Sequence, residues 1–91
     1  MLKTLDITVS GRVQGVFFRQ STREKANALG LKGKVMNLED GNLRIIVSGE
    51  IEKLDQLATW CKKGPPKAKV SSVQQVEIPF IEFDSFRIER N

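Results

Sequence analysis

The 91-residue chain has no histidine and a single cysteine, Cys61, and these two shortages remove several chemistries at once. An internal disulfide is impossible, the usual zinc spacings are missing, and neither a histidine base nor a phosphohistidine is available. No metal and no cofactor is therefore expected. Long apolar runs are also missing. None nears the roughly 20 residues that cross a bilayer, and Leu5, Asp6, Ile7 and Thr8 alternate where a signal peptide would carry an apolar stretch. The expectation is a soluble cytoplasmic protein with no membrane partner. Repeats, linkers and low-complexity segments are missing too, so residues 1–91 are expected to form one domain with a modest core.

Basic charge is plentiful. The net charge of +4 attracts any anion, whether a small phosphate compound, a nucleic acid or a membrane surface, and does not choose among them. The densest groups, Lys32 with Lys34 and Lys62, Lys63, Lys67, Lys69, read as solvated faces.

Hydrophobic periodicity orders the chain. Leu5, Ile7, Val9 and Val13 fall on one side of a strand, with Asp6, Thr8, Ser10 and Arg12 on the other. Phe18, Thr22, Ala26 and Leu29 follow at helical spacing, Arg23, Glu24, Lys25 and Asn27 fill the outer face, and Gly30 stops the helix. Ser21 with Glu24 offers a capping box as one start for this helix. Residues 31–39 and 42–48 read as strands around the turn Glu39-Asp40-Gly41-Asn42. A second helix over about 50–62 has Ile51, Leu54, Leu57, Ala58 and Cys61 inward, and strands over 70–78 and near 83–88 complete the chain. Cys61, beside Trp60 on that helix, reads as a small core hydrophobe. The order predicts an α+β ferredoxin-like split βαβ sandwich (βαββαβ), a four- to five-stranded antiparallel sheet with both helices on one face. That fold hosts many functions and names none.

The most informative segment is Gly11-Arg12-Val13-Gln14-Gly15-Val16-Phe17-Phe18-Arg19, a strand running into a glycine-punctuated turn that closes on an arginine. It reads as a phosphate cradle. Gly15 admits close backbone approach, the amides of Gln14, Gly15, Val16, Phe17 and Phe18 can converge on an anion, and Arg19 adds a planar fork of donors. The segment resembles the signature of acylphosphatases, small enzymes that hydrolyse carboxyl-phosphate anhydrides. Gly33-Lys34-Val35-Met36-Asn37-Leu38-Glu39-Asp40-Gly41 is similar to that family's second signature, and Gly64-Pro65-Pro66-Lys67-Ala68-Lys69-Val70 with Phe83, Phe86 and Ile88 extends the likeness over nearly the whole chain. The second signature departs in three places: the family usually has an aromatic at Lys34, a basic residue at Met36, and often valine-glutamate at the pair Leu43 and Arg44. The resemblance also implies that the helix begins near Phe18 or Arg19, which would put Arg19 at the positive end of the helix dipole.

An acyl phosphate already has a good leaving group, so catalysis is mainly positioning and electrostatics. Val13 instead of cysteine opens the loop, which closes the thiolate route. Direct attack by water remains and needs an orienting group. Asn37 fits, its amide accepting from one water hydrogen, and the resemblance implies that role. The expected activity is metal-independent hydrolysis of small acyl phosphates by a monomer, with inorganic phosphate as the second ligand. Two other readings stay open: a phosphate-binding regulatory domain without turnover, and a basic ferredoxin-like RNA-binding module. The polar second face of the first strand counts against the RNA module, which would carry exposed aromatics on its open sheet.

Overall fold

The computed structural model describes residues 1–90. Its elements are β1 (Leu2–Arg12), α1 (Phe18–Ala28), β2 (Lys32–Asn37), β3 (Leu43–Glu50), α2 (Ile51–Cys61), β4 (Lys69–Ile78) and β5 (Phe86–Ile88). The strands form one five-stranded sheet in the order β4-β1-β3-β2-β5. This is the ferredoxin-like α+β fold the element order predicts.

The alternation along β1 survives as a buried face of Leu5, Ile7 and Val9, and cross-strand partners share it: Ile7 lies opposite Ile45, which lies opposite Val35. Helix α1 covers β2 and β5, whereas α2 covers β1, β3 and β4. Phe18, Thr22 and Ala26 from α1 and Leu54, Leu57, Ala58 and Cys61 from α2 close the core on that face. The opposite face stays open and polar. There Arg44 grips Asp6 with Nε at 3.0 Å and Nη2 at 2.6 Å, so the residue that departs from the usual glutamate has its own counter-charge.

Two expectations are corrected. Helix α1 starts at Phe18 with Phe17 as its N-cap, and no side chain caps it, so Ser21 and Glu24 form no capping box. Its other end behaves as expected: Gly30, at φ +73°, lets Leu31 N–H return to Ala26 O and Gly30 N–H to Asn27 O, a Schellman closure. The second correction concerns the sheet. All pairings of β1 to β4 are antiparallel, but β5 adds parallel to β2, so the sheet is mixed. The reason is topological. Strand β4 ends at one edge and β5 belongs to the other, so the connection 79–85 must cross the open face before β5 begins. That crossing is anchored midway, where Ile81 N–H donates to Thr4 Oγ1 at 2.9 Å and Ile81 O accepts from Ser48 Oγ at 2.6 Å.

Candidate active site

The cradle follows directly from how β1 ends. A bulge between Ser10 and Gly11 shifts the register with β4, and Gly11, at φ +123°, lies where a Cβ would meet Lys69 O at 2.2 Å. Past the bulge the chain leaves the sheet and bends through two left-handed residues, Gly15 at φ +72° and Phe17 at φ +65°. A bulky side chain in that conformation is costly, and such outliers persist where the surroundings over-determine them. Here Val16 and Phe18, on either side of Phe17, are buried to 3% and 1% exposure, which forces the intervening residue outward. Phe18 meets the Trp60 ring edge-on at a centroid distance of 5.5 Å, and Gly64 gives it room, since a Cβ there would come within 2.6 Å of its Cε2. The cradle thus rests on the core through Phe18, the core role its helical register predicts.

Ser21 is the first residue of α1 whose N–H is bonded, to Phe17 O at 3.0 Å; the N–H groups of residues 15–20 make no hydrogen bond to a described residue. No acidic residue stands in the first turn to neutralise the positive helix end. Loop and helix together form a concavity of unbonded N–H groups, the kind of geometry that suits an anion where left-handed turns lead into a helix. A side chain on Gly15 would project into open space, so the glycine is required by its φ and not by crowding.

A cleft of about 360 Å³ lies against this concavity. It brings together Gly15, Phe17, Phe18 and half-buried Arg19 from the loop and helix with Asn37 from the end of β2. Gln14 and Val16, expected as amide donors, do not line it; Val16 turns its side chain into the core. The Gln14 side chain has a different use, which sequence reasoning missed. Its Nε2 donates to Leu38 O at 2.8 Å and to Asn42 O at 2.9 Å, tying the cradle to the hairpin that carries Asn37. Asn37 presents its amide at the cleft with Oδ1 shielded from solvent.

Two further cleft residues were missed. Arg23, expected on the outer face of α1, lines the cleft, as does Arg90 beyond β5. Cys61 is excluded from any chemistry: it is fully buried on α2, and burial pushes its thiol up to about 12, so no thiolate forms near neutral pH. Among the described residues no group of histidine, cysteine, aspartate and glutamate side chains is arranged to hold a metal ion. Among the described residues no helix is long and apolar enough to cross a membrane.

Fold and cleft together define a protein of the ferredoxin-like class with a basic cleft, built from a loop, a helix N-terminus and the arginines Arg19, Arg23 and Arg90. The acylphosphatase family model matches residues 5–88. An acylphosphatase from Rubrobacter xylanophilus is 51% identical over 77 residues, 85% of this chain and 70% of that protein. One from Methylococcus capsulatus is 41% identical over 99% of both chains. The solved structure of an acylphosphatase from Coxiella burnetii superposes with a TM-score of 0.94 at 42% identity, over 97% of this chain and 93% of that one. The chain belongs to the acylphosphatase family, the hydrolases of acyl phosphates.

Proposed function

We propose that the chain, an acyl phosphate hydrolase by its family, cleaves the carboxyl-phosphate bond by direct attack of water, with Arg19 and the cradle amides holding the phosphoryl group and Asn37 holding the water. The observation that carries this reading is the single cleft in which Arg19, the unbonded amides at the start of α1 and Asn37 converge. The phosphoryl oxygens accept from the loop and helix N–H groups, and the Arg19 guanidinium clamps two of them. With its oxygen turned into the cleft, the Asn37 amide accepts one water hydrogen and keeps the water in line with the bond to be broken. The water oxygen then bonds to phosphorus, the acyl oxygen departs with its electron pair as a carboxylate, and the water proton passes to a phosphoryl oxygen. Charge that spreads over the phosphoryl oxygens in the transition state meets donors already in place. Nothing in the step calls on a metal or cofactor.

The finer expectations belong to the same proposal. Residues 1–91 act as one domain and as a monomer in the cytoplasm, on small acyl phosphates and not on nucleic acid. The strands of the open sheet face support the last point: cross-strand partners there are Asp6, Thr8, Lys34, Met36, Arg44, Ile46, Gln74 and Val76, none of them aromatic, while Phe80 and Phe83 belong to the connection that crosses the face.

The test is phosphate release from benzoyl phosphate with EDTA present. The folded protein should turn over, with inorganic phosphate competing. Arg19→Lys should raise KM and lower kcat sharply, because an ammonium cannot replace a planar fork. Asn37→Ala should lower kcat about 10²-fold while phosphate inhibition persists. Turnover that vanishes only when EDTA is added would refute the metal-free route. An Asn37→Ala enzyme with weakened phosphate affinity and normal kcat would refute the water-holding role.

A further inference from the structure

The same cleft holds more positive charge than a phosphoryl group requires. Arg19, Arg23 and Arg90 all line it, and among the described residues no carboxylate side chain does. The ion pairs among the described residues are Met1–Glu50, Lys3–Glu77, Lys34–Glu89 and Arg44–Asp6, so none of the three cleft arginines is in one. The nearest acidic side chains in sequence have other partners: Glu89 pairs with Lys34 at 3.5 Å, and Glu24 accepts from Gln20 at 3.4 Å.

Backbone geometry aims both outer arginines at the site. Arg23 stands four residues after Arg19 on α1, hence on the same flank, and Cα–Cβ bonds in a helix tilt toward its N-terminus, so its long side chain leans back over the turn that holds Arg19. Arg90 arrives by the parallel pairing of β5. Val35 lies opposite Ile88, and Glu89 N–H still donates to Val35 O at 2.9 Å, which carries Arg90 to the level of Asn37. Residues alternate faces along a strand, so Arg90 shares the helix-covered face with Phe86, whose side chain is in the core.

Resting on the assignment of Arg19, Asn37 and the cradle to the phosphoryl group, we propose that Arg23 and Arg90 form an outer anion subsite that selects acyl phosphates whose acyl part carries a second negative charge. Phe17 and Ile88 give the cleft apolar wall for a short methylene chain, and the two guanidinium groups meet a carboxylate or second phosphate at its far end.

The test compares succinyl phosphate with butyryl phosphate, two four-carbon compounds that end in a carboxylate and a methyl group respectively, with uncatalysed breakdown subtracted. Their ratio of kcat/KM cancels general losses of activity. The native enzyme should favour succinyl phosphate about tenfold, equivalent to ~1.4 kcal/mol, which is what two exposed charge contacts supply between them. Arg23→Gln and Arg90→Gln should each cut the ratio about threefold, and the double variant should bring it near one. Added salt of about 0.5 M should shrink the native preference by screening, a check that needs no variant. A native ratio at or below one, or a preference that the double variant retains, overturns the subsite. Failure of the folded native enzyme to hydrolyse either compound overturns the proposed reaction itself, a different result from equal hydrolysis of both.

Discussion

Replacing Gln14 with leucine removes the two hydrogen bonds that hold the cradle to the β2–β3 hairpin, those from Nε2 to Leu38 O and Asn42 O. Each carbonyl keeps a backbone partner, since Leu38 O also accepts from Gly41 N–H and Asn42 O from Leu38 N–H. Neither acceptor is therefore orphaned, and the cost is that of two ordinary bonds without a desolvation penalty, about 1–2 kcal/mol. For a chain of this size that lowers Tm by roughly 5–15 °C. The functional effect follows from position: Leu38 is next to Asn37, so slack at the hairpin becomes error in aiming the water. A tenfold fall in kcat, ~1.4 kcal/mol, is expected, with inhibition by inorganic phosphate little changed because Arg19 and the amides stay in place. The assay pairs thermal unfolding with kcat and the phosphate inhibition constant. Gln14→Glu should lose more than Gln14→Leu, because an ionised carboxylate donates nothing and faces two carbonyl oxygens. A leucine variant with lower Tm but kcat within twofold of native would refute the coupling between this brace and Asn37.

Gly64→Ala should destabilise by about 2–4 kcal/mol in urea unfolding, combining a left-handed φ of +70° with a Cβ forced to within 2.6 Å of Phe18; Gly30→Ala, with φ +73° and open space, should cost only the ~1–2 kcal/mol of the backbone term, and equal losses would refute the contact with Phe18. Cys61, buried and with its thiol pushed up to about 12, should resist a thiol reagent at pH 8 until the chain unfolds; fast labelling of active enzyme would show that α2 does not seal it.

How much the sequence disclosed depends on whether a feature is local. The stripes of Leu5, Ile7, Val9 and of Leu54, Leu57, Cys61 are set by periodicity, and both appear in the core where expected. That Gly15 and Arg19 line one cleft was legible because they are four residues apart, across one loop-to-helix turn. The Gln14 side-chain brace was missed because its partners lie 24 and 28 residues away, and side-chain reach across a hairpin leaves no mark on spacing. Strand β5 has three residues, too few for a pattern, and its parallel direction follows only from where β4 ends. Arg23 satisfied the polar side of a helical pattern, which separates core from non-core and does not tell solvent from cleft. Lys34, unexpected beside the family pattern, pairs with Glu89, a residue 55 positions on in sequence, and so steadies the end of β5.

The buried ring of Phe86 decides more than packing. Because neighbours along a strand point to opposite sides of the sheet, a slip of β5 by one residue along β2 would bring Glu89 to the level of Asn37 and set a carboxylate against the incoming phosphate. A slip of two would restore the positive sign but displace the cation by about 7 Å. With Phe86 seated in the core at 5% exposure and Gly33 N–H bonded to Ser85 O at 3.0 Å, both slips are closed off. An apolar side chain outside the cleft thus acts as the parity lock on the polarity of the cleft mouth, and the connection 79–85 should tolerate added length at its crossing but no shift in phase where it delivers Phe86.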